Sequence, residues 1–283
     1  MQTAAELRGS WRWLAPVFVF VGGGLIGIAG YYELIPFETR MWMRLVLAVI
    51  FLAGLIIFWR NKPARETCLA LAAVSAGLWV AGLVGDRFIT WLGISDQDAR
   101  GFAVSKINET LPIILIILLA VLLSRRKLAS LYLSGGRVGA SLISGLVVGG
   151  VLFLYFLSQG GWQVFQAGAL KTLLPDIAWI TIFSIFNGFM EELWFRGLFL
   201  SRFEWLLGRR WAFWITALTF GMLHAFGSFT GTLGSLLLTT FTVFLGIAFG
   251  YIVQKTGSIW GAVLGHFFAD FFMMLGYFAT MGS

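Results

Sequence analysis

The chain has 283 residues, of which 59% are hydrophobic and only 12% charged, with a mean hydropathy of +0.89. These values exclude an ordinary soluble domain. The net charge of +7 does not point to nucleic acid, because the basic residues lie between apolar runs, where positive-inside topology accounts for them.

Apolar runs of about twenty residues, the length a helix needs to cross the hydrocarbon core, fall near 14–32, 43–59, 68–85, 104–123, 138–158, 177–200, 211–228, 233–253 and 258–279. The expected fold class is therefore all-α, a polytopic integral membrane protein of about nine transmembrane helices. The first run is long enough to span and no small-residue cleavage site follows it, so it reads as a span and not a signal peptide. The single cysteine, Cys68, excludes an intrachain disulfide.

The loops alternate in charge along the chain. Arg8 and Arg12 precede the first span, and the later basic loops carry Arg60, Lys62 and Arg65, then Arg125, Arg126, Lys127 and Arg137, then Arg202, Arg209 and Arg210, then Lys255. The intervening loops are neutral or mixed, with Glu33, Glu38 and Arg40, then Asp86, Arg87, Asp96, Asp98 and Arg100, then Lys171 and Asp176. This pattern predicts a cytoplasmic N-terminus in a multi-pass membrane protein, expected in the plasma membrane of a prokaryote.

Three parts are expected. Residues 1–125 form a four-helix membrane extension, and residues 126–137 a basic interfacial connector. Residues 138–283 hold every convincing interior charge and both histidines. Asn108 and Glu109, near the start of the fourth span, read as helix-end solvation. Small residues recur at four-residue spacing in the last part, at Gly145 and Gly149, Gly246 and Gly250, and Gly257, Gly261 and Gly265, as close helix packing in a bilayer requires.

The sixth span places Glu191, Glu192 and Arg196 inside an apolar helix, where charges persist only when paired or used. Glu192 and Arg196 are four apart with the acid first, the favourable order for an intrahelical ion pair. Glu191 has no such partner on its own helix, although Asn187 lies one turn back, and this leaves it available as a general base. His224 follows Phe220 by four residues on the seventh span, and His266 precedes Asp270 by four on the ninth. At ~1.5 Å per residue from the basic end of each span, Glu191, His224, His266 and Asp270 lie about 14–20 Å deep, at one level near the bilayer middle. A lone membrane histidine or a lone His-xxx-Asp also reads as interhelical packing. The whole set at one depth reads as a functional site.

The ordered trio Glu-Glu-xxx-Arg (191–196), Phe-xxx-His (220–224) and His-xxx-Asp (266–270) resembles the CPBP family of intramembrane proteases. That family includes CAAX prenyl endopeptidases and bacterial proteins labelled abortive-infection or bacteriocin-immunity proteins. The resemblance covers roughly residues 140–280 and makes 138–283 a protease core. It implies a peptide-bond hydrolase with a cavity in the membrane, open towards the cytosol. Its substrate would be a membrane-anchored or prenylated peptide or protein. On the matching positions, Glu191 and His224 would activate water, and His266 and residue 270 would stabilise the oxyanion. Glu192 and Arg196 would support the site, along with Asn187 and Phe220.

Residue 270 departs from the CAAX endopeptidases, which carry asparagine there. An ionised aspartate repels an oxyanion, so either Asp270 is protonated or it orients His266 as an imidazolium that donates; the spacing favours the second. No cofactor is favoured. Zinc held by Glu191, His224 and His266 is the alternative, since a His₂Glu set serves either chemistry. Two other function classes share these residues: a non-catalytic scaffold or immunity protein, and a proton-coupled transporter.

Overall fold

The computed structural model describes residues 11–166, 171, 173–228 and 232–281, and the side chains of 14–166, 171, 173–226 and 232–279. The regular structure of the described residues is helical, and they contain no strand. In chain order the helices are α1 (Trp11–Tyr31), α2 (Phe37–Ile57), α3 (Lys62–Val84), the short α4 (Arg87–Leu92), α5 (Ala99–Leu123), α6 (Val138–Ser158), α7 (Ile177–Glu192), α8 (Ser201–Leu207), α9 (Arg209–Ser228), α10 (Leu233–Thr256) and α11 (Trp260–Met281). Seven helices are long and apolar enough to cross a membrane: α1, α2, a segment running through α3 and α4, α5, α6, α10 and α11. The sixth and seventh predicted spans, now α7 and α9, fall outside that set among the described residues. α7 has only 16 residues before the π-helical stretch begins, and α9 carries Arg209, Arg210 and His224.

Local sequence accounts for the helix starts. Asn61 caps α3 by accepting from the Ala64 amide, with Pro63 in the first turn, where its missing N–H costs nothing. Asp98 caps α5 by accepting from the Gly101 amide at 2.7 Å. Gly257, at φ 69° in the left-handed region, ends α10 and turns the chain into α11.

The sixth span differs from a simple α-helix over 177–200. α7 continues without a break through a π-helical stretch, Leu193–Leu200, into α8, and every residue of that stretch is buried. Wide π turns concentrate at functional sites, and this one holds Arg196. Gly197 lies against the Leu131 carbonyl of a short 3₁₀ turn (Leu128–Leu131) in the basic connector, so a small residue is needed there. A transporter built on broken helices would be unwound here, yet the rod stays helical through its length.

The N-terminal helices share one core with the rest. Val19 and Ile26 of α1, Leu71 and Val74 of α3 and Ile113 of α5 pack in the same cluster as Phe195, Phe220 and Phe249. Two buried charges serve this packing. Arg44 donates to the carbonyls of Ala29 and Gly30 at the open end of α1, and to the Leu78 carbonyl of α3. Glu66 pairs with Arg126 of the connector at 3.5 Å and Arg202 of α8 at 3.3 Å. Interior charge is thus present in the first four spans, where the sequence shows none that is convincing. Its partners come from distant parts of the chain.

α6 and α11 pack through their glycines. A Cβ on Gly145 would collide with the Gly261 backbone, and one on Gly261 with the Ser141 carbonyl. Ser141 uses the same approach to accept from the Gly261 amide at 2.8 Å. Gly261→Val is expected to lower stability by roughly 1–3 kcal/mol through overpacking and loss of that bond, read by chemical denaturation in detergent. A Gly150→Ala control, where a Cβ meets nothing within 4 Å, should be neutral.

Candidate active site

α7, α9 and α11 bring four of the sequence-predicted residues together. Glu191 Oε2 lies 3.7 Å from His224 Nε2 and 3.8 Å from His266 Nε2, and His266 Nε2 lies 3.7 Å from Asp270 Oδ1. Gly188 permits this meeting: a Cβ there would stand 3.2 Å from the Phe267 amide nitrogen, so a bulkier side chain would push α7 off α11. These separations exceed a hydrogen bond. Glu191 Oε2 is buried and has no hydrogen-bond partner among the described residues, an unusual state for a buried carboxylate oxygen.

The rings have defined orientations. His224 Nδ1 lies 2.9 Å from the Phe220 carbonyl, which can only accept, so Nδ1 carries the proton. In the neutral ring Nε2 then holds the lone pair, and it faces Glu191. His266 Nδ1 donates to Glu192 Oε1 at 2.8 Å, which turns Nε2 towards Glu191 and Asp270. Phe249 stacks on the His266 ring at 5.6 Å, and Phe220 meets its edge at 5.7 Å.

Glu192 and Arg196 form the buried pair expected from their spacing, at 2.8 Å. The wider π turn begins between them. Arg196 also donates to the Gly246 carbonyl at 3.2 Å, and its guanidinium lies 4.3 Å from the Phe220 ring centroid. The same Glu192 oxygen serves both Arg196 and His266. Here the geometry departs from the sequence reading of Asp270. The hydrogen bond that orients His266 is accepted by Glu192, whereas Asp270 accepts from Asn187 at 2.9 Å.

Three residues escape sequence reasoning. Tyr31, the last residue of α1, lines the same cavity as Glu191 and donates to Glu109 at 2.7 Å; Lys106 donates to the other Glu109 oxygen at 2.6 Å. Glu109 is therefore a paired, partly exposed acid beside the site, and Asn108 is buried. The available signal was the Lys106-xx-Glu109 pair at i,i+3. Its meaning depends on α1 and α5 packing beside α9 and α7.

The four residues stand at the polar end of a cavity of 660 Å³ whose walls are mostly apolar. Its walls come from the ends of α1, α6 and α9, the start of α10 and the middle of α11. The ends of α1, α6 and α9 and the start of α10 are remote from the basic loops, whereas Asn187, Glu191, Leu245 and His266 line the cavity at mid-bundle. The resemblance had implied an opening on the cytosolic side.

Glu191, His224 and His266 are zinc donors in kind. A tetrahedral ion with bonds of about 2.0–2.2 Å needs donors about 3.4 Å apart, closer than the 3.7 and 3.8 Å separations from Glu191. Among the described residues no group of three His, Cys, Asp or Glu is placed to hold a metal ion.

Glu192→Ala would leave Arg196 buried without its carboxylate and His266 without its acceptor. It should lower stability by about 3–5 kcal/mol, measured by chemical denaturation. Asn187→Ala, which strips one hydrogen bond from Asp270, should cost only about 1–3 kcal/mol.

Residues 172–272 match the family model described as Type II CAAX prenyl endopeptidase Rce1-like. No curated protein matches the chain, and no solved structure matches it. The matched segment contains all three polar motifs, from Glu191 to Asp270. It leaves α1 to α6 outside, together with Tyr31, Lys106 and Glu109.

Proposed function

From the match of residues 172–272 to the Rce1-like CAAX endopeptidase model and the ordered trio of polar motifs, we propose that the protein is an intramembrane endopeptidase of the CPBP type. It hydrolyses a peptide bond of a membrane-anchored, in some cases lipidated, substrate, using water activated by Glu191 and His224. The observation that supports this most directly is the Glu191 carboxylate: buried, without a protein donor on Oε2, and flanked by two histidine Nε2 atoms at 3.7 and 3.8 Å. Each gap is too long for a direct hydrogen bond and leaves Oε2 open to a water.

Catalysis proceeds by general base and general acid steps. A water held beside Glu191 and His224 donates one proton to Glu191 and the other to the lone pair of His224 Nε2, and these two hydrogen bonds aim the water oxygen's own lone pair at the scissile carbonyl. As oxygen attacks the carbonyl carbon, Glu191 takes a proton and the carbonyl becomes an oxyanion. His266, held through Nδ1 by Glu192, donates from Nε2 as an imidazolium to that oxyanion. The tetrahedral intermediate then collapses, the C–N bond breaks, and the proton on Glu191 passes to the leaving nitrogen. The products are one carboxylic acid and one amine, and the base is regenerated.

Glu192 and Arg196 are positioning residues that fix His266. Asp270, tethered by Asn187, stands beside His266 Nε2 as a counter-charge to the imidazolium. Phe220 supports both rings and supplies the carbonyl that sets the His224 tautomer. No step uses a metal. The basic loops are cytoplasmic in this reading, with the protein in a prokaryotic plasma membrane.

Glu191→Gln is expected to reduce cleavage of a membrane-anchored reporter peptide by about 10²–10⁴-fold with unchanged stability. Retention of full activity would remove Glu191 from the base role. Elemental analysis of the purified protein, paired with activity after chelation, should show less than 0.1 equivalent of transition metal per active chain and no loss of rate. A stoichiometric metal whose removal abolishes cleavage would replace this mechanism.

A further inference from the structure

Most polar side chains on the cavity wall already have partners. Tyr31 donates to Glu109, Gln159 to Ser158, and Thr242 to the Thr239 carbonyl. Among the described residues, two buried side-chain atoms of that wall have no hydrogen-bond partner: Glu191 Oε2 and Asn187 Oδ1. They belong to residues one turn apart on α7. The hydrolytic mechanism uses the first and leaves the second idle.

The packing fixes which end of the Asn187 amide is free. Gly188 lets α7 approach α11 until a Cβ at that position would stand 3.2 Å from the Phe267 amide nitrogen. The approach brings Asn187 to Asp270, and Nδ2 donates to Oδ2 at 2.9 Å. An ionised carboxylate only accepts, so turning the amide over would set two acceptors face to face. Oδ1 is therefore held as a bare carbonyl on a side chain 6% exposed. A buried acceptor in this state destabilises the empty site and becomes favourable only when a donor arrives.

A peptide substrate brings that donor. Each peptide unit entering the cavity carries an N–H that gives up its water, and between mostly apolar walls it must find an acceptor inside. Asn187 and Glu191 are one helical turn, about 5.4 Å, apart along the axis. An extended chain advances about 3.3–3.6 Å per residue, so with the scissile carbonyl at Glu191 the N–H facing Oδ1 lies within about two residues of the cleaved bond. The contact is also tied to the chemistry. Asp270 Oδ1 lies 3.7 Å from His266 Nε2, so Asn187 shares its partner with the oxyanion donor.

We infer that Asn187 is a substrate-binding residue whose Oδ1 accepts a hydrogen bond from a backbone N–H of the substrate, within about two residues of the scissile bond. The site thereby selects a chain with a secondary amide at that position and rejects proline, an N-methylated residue or an ester there. By donating to Asp270, Nδ2 keeps the acceptor turned towards the chain. The inference rests on the hydrolase reading above and adds to it the contact that sets the register of the substrate.

The test uses internally quenched, membrane-anchored peptides that differ only in which non-scissile backbone amide is replaced by an ester, a change that removes one N–H without adding bulk. In the wild type one replacement near the cleaved bond should lower kcat/KM about tenfold, and the others less than about twofold. In Asn187→Ala that same replacement should change kcat/KM by less than about twofold, whereas an asparagine that only tethers Asp270 would leave its effect intact. Additive losses, or a wild type indifferent to every ester, overturn the inference and leave Oδ1 to water. Chemical denaturation checks that the variant is folded. If Asn187→Ala unfolds, Asn187→Ser, which is shorter but keeps a hydroxyl donor beside Asp270, serves the same comparison. If no peptide is cleaved, the hydrolase reading fails, and the contact is read from equilibrium binding of the same peptides to the wild type, where one ester should bind about tenfold more weakly. Equal binding across the series, or none, overturns it.

Discussion

A single carboxylate oxygen, Oε1 of Glu192, holds the centre of this protein together. It is fully buried and accepts from Arg196 within its own helical rod and from His266 across the interface with α11. A buried charge of this kind is tolerable only with good geometry on every side. The π-helical turn, the Arg196 bond to Gly246 and the aromatic box of Phe220 and Phe249 provide it. Because Glu192 is committed in this way, its neighbour Glu191 can remain without a donor on Oε2. Adjacent positions on one rod thus separate a structural acid from a reactive one.

Around that centre the bundle is polarised along its axis. The basic end is closed by side chains that bond to carbonyls and to Glu66, tying the connector, α3 and α8 into one layer. The opposite end keeps the space, with apolar walls and a polar floor. This division gives physical meaning to helices outside the family match. α1 and α5 supply Tyr31, Lys106 and Glu109 beside the cavity, and α3 supplies the acid that anchors two arginines. The extension is part of the framework of the site.

Much of the fold was legible because a bilayer leaves few options. An apolar run of sufficient length must be a helix, since no water is present to satisfy a bare backbone. The same reasoning made Glu191, Glu192, Arg196, His224, His266 and Asp270 conspicuous, because charge in such a run demands a reason. The Glu192–Arg196 pair was readable as local i,i+4 geometry. The hydrogen bond from His266 to Glu192 was not, because residues 74 positions apart in sequence reveal no contact through periodicity. Asp270 took the orienting role in the sequence reading because it was the only acid visible on the same helix face. Glu109 looked solvated for the matching reason: its helix was known, but not the tyrosine of another helix packed against it.

By itself, then, the sequence determined that this is an all-helical membrane protein, which runs of it are helices, and which handful of polar residues must be accounted for. Those conclusions follow from composition and from spacing within one element, where the relevant forces are local. Only the tertiary structure decided which carboxylate holds His266, that the sixth span widens into a π turn, that α1 and α5 border the site, and towards which end the cavity extends. Each of these depends on how separate helices are rotated and offset against one another. That arrangement is set by glycine contacts and shared buried charges between distant segments, and no single segment carries it.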